Sequence, residues 1–195
     1  MKYGFIGVTL AVFAAAAVQS ASSQSDRAFQ APANYREWVY LSSGLDMNYT
    51  EAPRVTDRGN FFTNVFVNPE AYRGFMASGS WPDNTTFVLE IRRSSGVGSI
   101  NKGGKYQTAT VGLEYHVKEN GVWTFYAPRA GNPVAKIPTS ADCYSCHDQH
   151  GAVDSTFVQF YPTLLEVAKA KGTLAAHYLK SEAEKTSPPA PERAR

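Results

Sequence analysis

The chain has 195 residues, a length that sets a prior of one domain, or of one domain with a tail. Apolar residues make up 43%, an ordinary globular fraction, and Tyr and Phe number 11 each, which suits a β-rich core or a pocket around a large aromatic ligand. The formal net charge is only +2 and no basic stripe is present, which excludes nucleic acid and an anionic membrane surface as partners.

Residues 1–23 read as an export signal. Lys2 supplies a positive n-region, Gly4 to Val18 form an apolar run, and the small residues from Ser20 to Ser23 offer a cleavage site. The run is shorter than a membrane span, and an uncleaved anchor is the alternative. The mature protein is therefore expected to be soluble and periplasmic, with one domain over 24–180 and a disordered tail over 181–195, rich in Glu, Lys, Pro and Ala.

Asn34 with Glu37 three residues on resembles a capping box and predicts a short helix through Leu41. Ser42 to Asn60, rich in Gly, Asp, Asn and Pro, predicts a long loop. Phe61 to Val67 alternates as a strand. Asn68-Pro69 opens a helix in which Tyr72, Phe75 and Met76 share a face, and Gly79 ends it. Thr85 to Arg92 predicts a strand with Phe87, Leu89 and Ile91 on one face and Val88, Glu90 and Arg92 on the other. A Gly/Ser-rich connection leads to a long strand over Tyr106 to Glu119. Asn120-Gly121 is a strong hairpin signal and returns the chain into Val122 to Ala127. Arg129 to Ala141 reads as a loop, and Pro162 starts a helix carrying Leu164, Leu165, Val167 and Ala168. Helices combined with strands joined by a tight hairpin imply an α+β fold with an antiparallel sheet.

Cys143-Tyr144-Ser145-Cys146-His147 carries the chemistry. C-x-x-C-H is the attachment motif of haem c. Two thiols one short turn apart reach the two vinyl groups of a porphyrin edge, and the next residue presents an imidazole to the iron. Cys143 and Cys146 are thus expected to hold one covalent haem c, with His147 as its metal ligand. A disulfide between them would close too small a loop to stabilise the fold. A zinc site would need four ligands, and no second pair of Cys or spaced His exists. A thioredoxin-type pair would open a helix in a βαβ context, which this stretch lacks. Other residues that compete for roles are His150, which follows His147 too closely to reach the far side of a ring, and His116, which reads as a solvated or hydrogen-bonded strand histidine. His177 lies near the tail. Met47 and Met76 are thioether candidates for a sixth ligand, with core packing the default for Met76.

With these residues in view, the chain resembles the cytochrome P-460 family, which includes the cytochromes c′-beta. The resemblance runs from about Asn34 to Leu165. It is carried by Asn34-Tyr35-Arg36-Glu37-Trp38-Val39, Val65-Phe66-Val67-Asn68-Pro69-Glu70 with Tyr72, Asp83-x-Thr85, Gly112-Leu113-Glu114, the haem motif, and Phe160-Tyr161-Pro162 leading to Leu164. It implies an antiparallel β fold with a few helices, a homodimer, and a five-coordinate haem c with an open distal side. Some relatives carry a lysine cross-linked to the porphyrin and oxidise hydroxylamine, whereas others lack it and bind nitric oxide or carbon monoxide. Leu89 stands at the cross-linking position, which places this chain closer to the second group. Glu114 matches an acidic position of the cross-linked relatives and is a candidate catalytic proton carrier. Phe62, Phe87 and Leu89 are expected to line an apolar distal pocket, on strand-face grounds.

Three functions remain open on the sequence. The first is a cytochrome that binds a small gaseous ligand (nitric oxide or carbon monoxide) with a role in nitrogen-oxide chemistry. The second is a hydroxylamine or nitric oxide oxidoreductase. The third is an electron-transfer cytochrome that serves a redox partner protein.

Overall fold

The computed structural model describes residues 29–47, 60–129 and 132–186. The predicted export signal, the centre of the predicted 42–60 loop and the end of the predicted tail lie outside the described residues. Six strands form one sheet in chain order, β1 (Val39–Leu45), β2 (Phe61–Val67), β3 (Thr86–Ser95), β4 (Tyr106–Glu119), β5 (Val122–Arg129) and β6 (Asn132–Lys136), each antiparallel to its neighbours. Among the described residues four α-helices accompany it: α1 (Pro69–Ser78), α2 (Asp142–His150), α3 (Pro162–Lys171) and α4 (Ala176–Thr186). The α+β expectation holds.

Local chemistry accounts for most of these elements. Pro69 at the first turn of α1 loses no hydrogen bond, and Gly79 ends the helix in the left-handed region at φ 77. Asn120 and Gly121, at φ 51 and 75, make the β4–β5 connection a mirror-image turn whose twist matches the sheet.

Several elements differ from the sequence reading, among them the start of the predicted 42–60 loop, where Ser42 to Leu45 belong to β1. Asn34 makes no side-chain cap, and the predicted helix shrinks to one 3₁₀ turn over Tyr35–Glu37. Trp38 is already extended, and Val39 onward joins the sheet edge as β1, where pairing with β2 outweighs a weak capping signal. The loop after Arg129 contains β6, an edge strand in which the missing N–H of Pro133 is tolerated. The chain beyond Ser181 is helical to Thr186, where Lys185–Glu182 and Lys180–Glu184 pairs join successive turns of α4.

The sheet divides the protein into two cores. On one face Val67 and Phe87 pack with Ala71 and Phe75 of α1, Trp81, Leu164 and Ala168 of α3, and the segment from Ala152 to Tyr161. Fully burying a side chain such as Phe75 or Leu164 contributes about 1.5–3 kcal/mol. On the other face Val88, Tyr115 and Val117 pack with Tyr35 and, at the margin, Phe29, Trp38, Phe66 and Tyr126.

Candidate haem site

Strand register sets the site before any helix contributes. Cross-strand pairing aligns Val67, Phe87, His116 and Phe125 as one row on the first face. The next row on that face is Ser42, Val65, Leu89 and Glu114, and the one after is Gly44, Thr63, Ile91 and Gly112. Successive rows lie two residues apart, about 7 Å along the strands.

Helix α2 brings the cysteine motif over this face. Cys143, Cys146 and His147 are spaced i, i+3 and i+4 and therefore project together. Tyr144 anchors the helix to β5: its hydroxyl donates to the Ile137 carbonyl at 3.1 Å and accepts from the Phe125 amide at 3.2 Å. Cys143, Cys146 and His147 line a cavity of about 290 Å³ together with residues from all three rows and with Phe157, Phe160 and Tyr161. Both thiols are free and half-buried, and burial pushes the Cys143 pKa up.

The imidazole of His147 is held by its surroundings. Its Nδ1 lies 2.9 Å from the carbonyl oxygen of Ser155. That acceptor places the ring proton on Nδ1 and leaves Nε2 with its lone pair available to a metal, the usual arrangement around a ligating histidine. Burial lowers the His147 pKa, opposed by the Ser155 contact, and so favours the neutral form that coordination requires.

A built turn presents that carbonyl. Val153 and Thr156 close a two-residue turn with Asp154 at φ 48 and Ser155 at φ 53, both left-handed and neither glycine. Lys118 holds it through Asp154 at 2.7 Å while also donating to the Trp81 carbonyl, and Trp81 Nε1 donates to Thr156 Oγ1 at 2.9 Å. Gly151, at the end of α2, lets the turn fold back. A Cβ there would meet Thr156 N at 2.6 Å and the His147 carbonyl at 2.7 Å.

The residues expected around the haem divide by row. Phe87 lines the cavity in the row that packs on His147: its ring neighbours His116 at 6.1 Å, and His116 neighbours His147 at 4.9 Å. Leu89 does line the cavity, one row further on, beside Glu114. Phe62 does not line it. The cavity takes Thr63 and Val65 from β2, and the alternation of the strand sends Phe62 to the opposite face. Ser42 and Thr63 make this side more polar than an all-apolar lining. Glu114 is open to water through the cavity, yet the surrounding protein pushes its pKa up by burial.

His150 is exposed on α2 and outside the cavity, and His177 packs its Nε2 on the Gly151 carbonyl at 2.9 Å. Met76 is exposed on α1, whereas Met47 lines the cavity beside Gly44. His116 is not a solvated strand residue: it is 7% exposed among Phe125, Trp123 and His147. Ser155 went unrecognised in the sequence because it acts through its backbone carbonyl, which any residue type supplies.

Two free thiols, an imidazole whose Nδ1 is already hydrogen-bonded, and an adjoining aromatic-lined cavity fit a haem held at this face. No curated protein matches the chain. A family model described as Cytochrome P460 matches residues 32–158, a span that holds the sheet, the cysteine motif and the Ser155 turn, and the chain therefore belongs to the cytochrome P460 family of haem proteins.

Proposed function

We propose that this is an exported, periplasmic cytochrome carrying one covalent haem c, which binds nitric oxide or carbon monoxide at an open coordination position and serves nitrogen-oxide chemistry. The observation that carries the reading is the His147–Ser155 contact within a cavity that Cys143 and Cys146 share. Cys143 and Cys146 would hold the group through thioether bonds and His147 Nε2 would ligate it. A bound haem iron would supply a position for a small ligand and one-electron redox change.

The chain's own residues shape that position. Val65 and Leu89 give the row beyond His147 apolar walls beside Ser42 and Glu114. An anion entering there loses hydration that apolar walls do not replace, whereas a neutral diatomic loses little. Leu89 has no nucleophile, so a porphyrin cross-link at this position is not formed. Glu114, its proton held more tightly than usual, can donate a proton or a hydrogen bond into the cavity. That carboxyl favours a second reading, a hydroxylamine or nitric oxide oxidoreductase. Met47 favours a third, an electron carrier in which the thioether takes the sixth position for a redox partner protein. A homodimer is part of the proposal.

Haem should stay on the chain in a denaturing, haem-stained gel, and Cys143→Ala with Cys146→Ala should abolish the stain. A stain that survives both changes would overturn the attachment. Optical spectra of the ferrous protein, with and without nitric oxide, separate the three readings. A five-coordinate spectrum that changes on adding the gas supports the first, a cross-link-type absorption supports the second, and a six-coordinate spectrum inert to the gas supports the third.

A further inference from the structure

The side of His147 that faces the sheet is built from rings. His116 stacks on Phe125 with centroids 4.0 Å apart and planes 8° from parallel, and it also packs on Trp123 at 4.2 Å. His147 lies 4.9 Å from His116 and 4.7 Å from Phe125, at 75° and 67° to their planes. Near-equal distances to two stacked rings put His147 beside the stack, against its edges, and not over either face. Phe157 covers His147 from another side at 4.1 Å. The Ser155 carbonyl fixes one ring nitrogen, and the stack blocks rotation about that hydrogen bond.

The stack is costly as it stands. The Nε2 of His116 is buried with no hydrogen-bond partner, as is Trp123 Nε1. A phenylalanine at 116 would fill the same plane without an unsatisfied nitrogen. His116 touches the His147 ring itself, so it would brace that ligand and not oppose it across a bound group.

On the proposed function, we infer that His116 is a positioning residue: its ring, braced by Phe125, sets the plane in which the His147 imidazole meets the iron. A histidine free to rotate samples several orientations and gives a spread of axial bond strengths, whereas a braced one gives a single narrow population.

The test is resonance Raman spectroscopy of the haem-loaded ferrous protein, read at the iron–histidine stretching band, with thermal melting in parallel. The unaltered protein should show one narrow band. Its absence there would sink the assignment of His147 and leave the question of His116 behind. With the band present, His116→Ala should broaden and shift it. His116→Leu, which fills space without a flat ring, gives the same comparison should the alanine variant not fold. His116→Phe should restore the narrow band and raise the melting temperature, because it removes the unsatisfied nitrogen. A lower melting temperature with an unmoved band in the Ala and Leu variants would make His116 merely structural and overturn the inference, and so would a phenylalanine variant that fails to restore the band.

Discussion

Glu114 lies directly across the strand pair from Leu89, so a carboxyl and an aliphatic side chain share the row next to His147. Surrounding protein replaces part of the water that would solvate its charge, and the folded state holds its proton more tightly than the unfolded chain does. The consequence for stability has a definite sign. Below the ordinary Glu value of 4.5 both states are protonated and the group contributes nothing. Above it the unfolded chain releases the proton first, so stability falls as pH rises until the folded state titrates as well. Glu114→Gln should remove that decline. Melting curves of the two proteins should coincide in acid and separate above this pH, the Gln variant being the more stable. Parallel curves throughout would mean that the carboxyl is solvated as in an ordinary surface residue.

Among the elements, the segment after α2 decides whether His147 is oriented at all. A helix ending at His150 would ordinarily carry the chain away, but Gly151 lets it turn back so closely that no Cβ fits. The two left-handed residues that follow store strain, roughly 1–2 kcal/mol each. The Lys118–Asp154 pair and the Trp81–Thr156 hydrogen bond offset it. Gly151→Ala would push backbone against backbone, and overpacking of this kind costs about 1–3 kcal/mol. The melting temperature should fall, and exogenous imidazole should displace His147 more readily because Ser155 has moved. A variant as stable as the parent would show that the turn has slack. The helix predicted over Asn34 to Leu41 carries a different lesson. A capping pattern is a local preference worth about a kcal/mol, and it yields when aromatic and β-branched residues can complete a sheet edge.

At the scale of the whole molecule the sheet separates two tasks. The first face holds the cavity, and the second centres on Glu90, which is 2% exposed. Tyr35 donates to it at 2.8 Å, Asn64 at 3.1 Å, and Arg36 and Arg92 pair with it, so one carboxylate joins the entry turn to β2, β3 and β4. Burial pushes its pKa up, but these hydrogen bonds and charges outweigh it and the net shift is downward. The stability it contributes is therefore present above the ordinary carboxylate value and is lost as pH falls through the folded value. Glu90→Ala should cost about 3 kcal/mol, the lower end for breaking a buried pair, since Arg36 is half exposed. The haem spectrum should not change, because the cavity lies across the sheet. A spectral change as large as that of a cavity mutation would contradict this separation.

What could be read from the amino acids was what local spacing encodes. The β2, β3 and β4 strands, α1 between Pro69 and Gly79 and the Asn120-Gly121 hairpin all follow from short local patterns. Each has a physical cause that acts within the segment. The lining of the cavity is a different kind of fact. Strand parity sorts side chains into two faces, but nothing within β2 says which face meets the cavity, and the fold turns Thr63 and Val65 toward it and Phe62 away. The same holds for Phe87 and Leu89. Alternation puts them on one face, and only the cross-strand register, with His147 packed on one row, places Phe87 in the row beside His147 and Leu89 in the row beyond. The Ser155 carbonyl and the His116 stack depend on chain segments far apart in sequence coming into contact. The attachment proposed for the haem thus rests on five consecutive residues. The orientation of the ligand and the character of its pocket arise only when the sheet, the helix and the returning turn close around it.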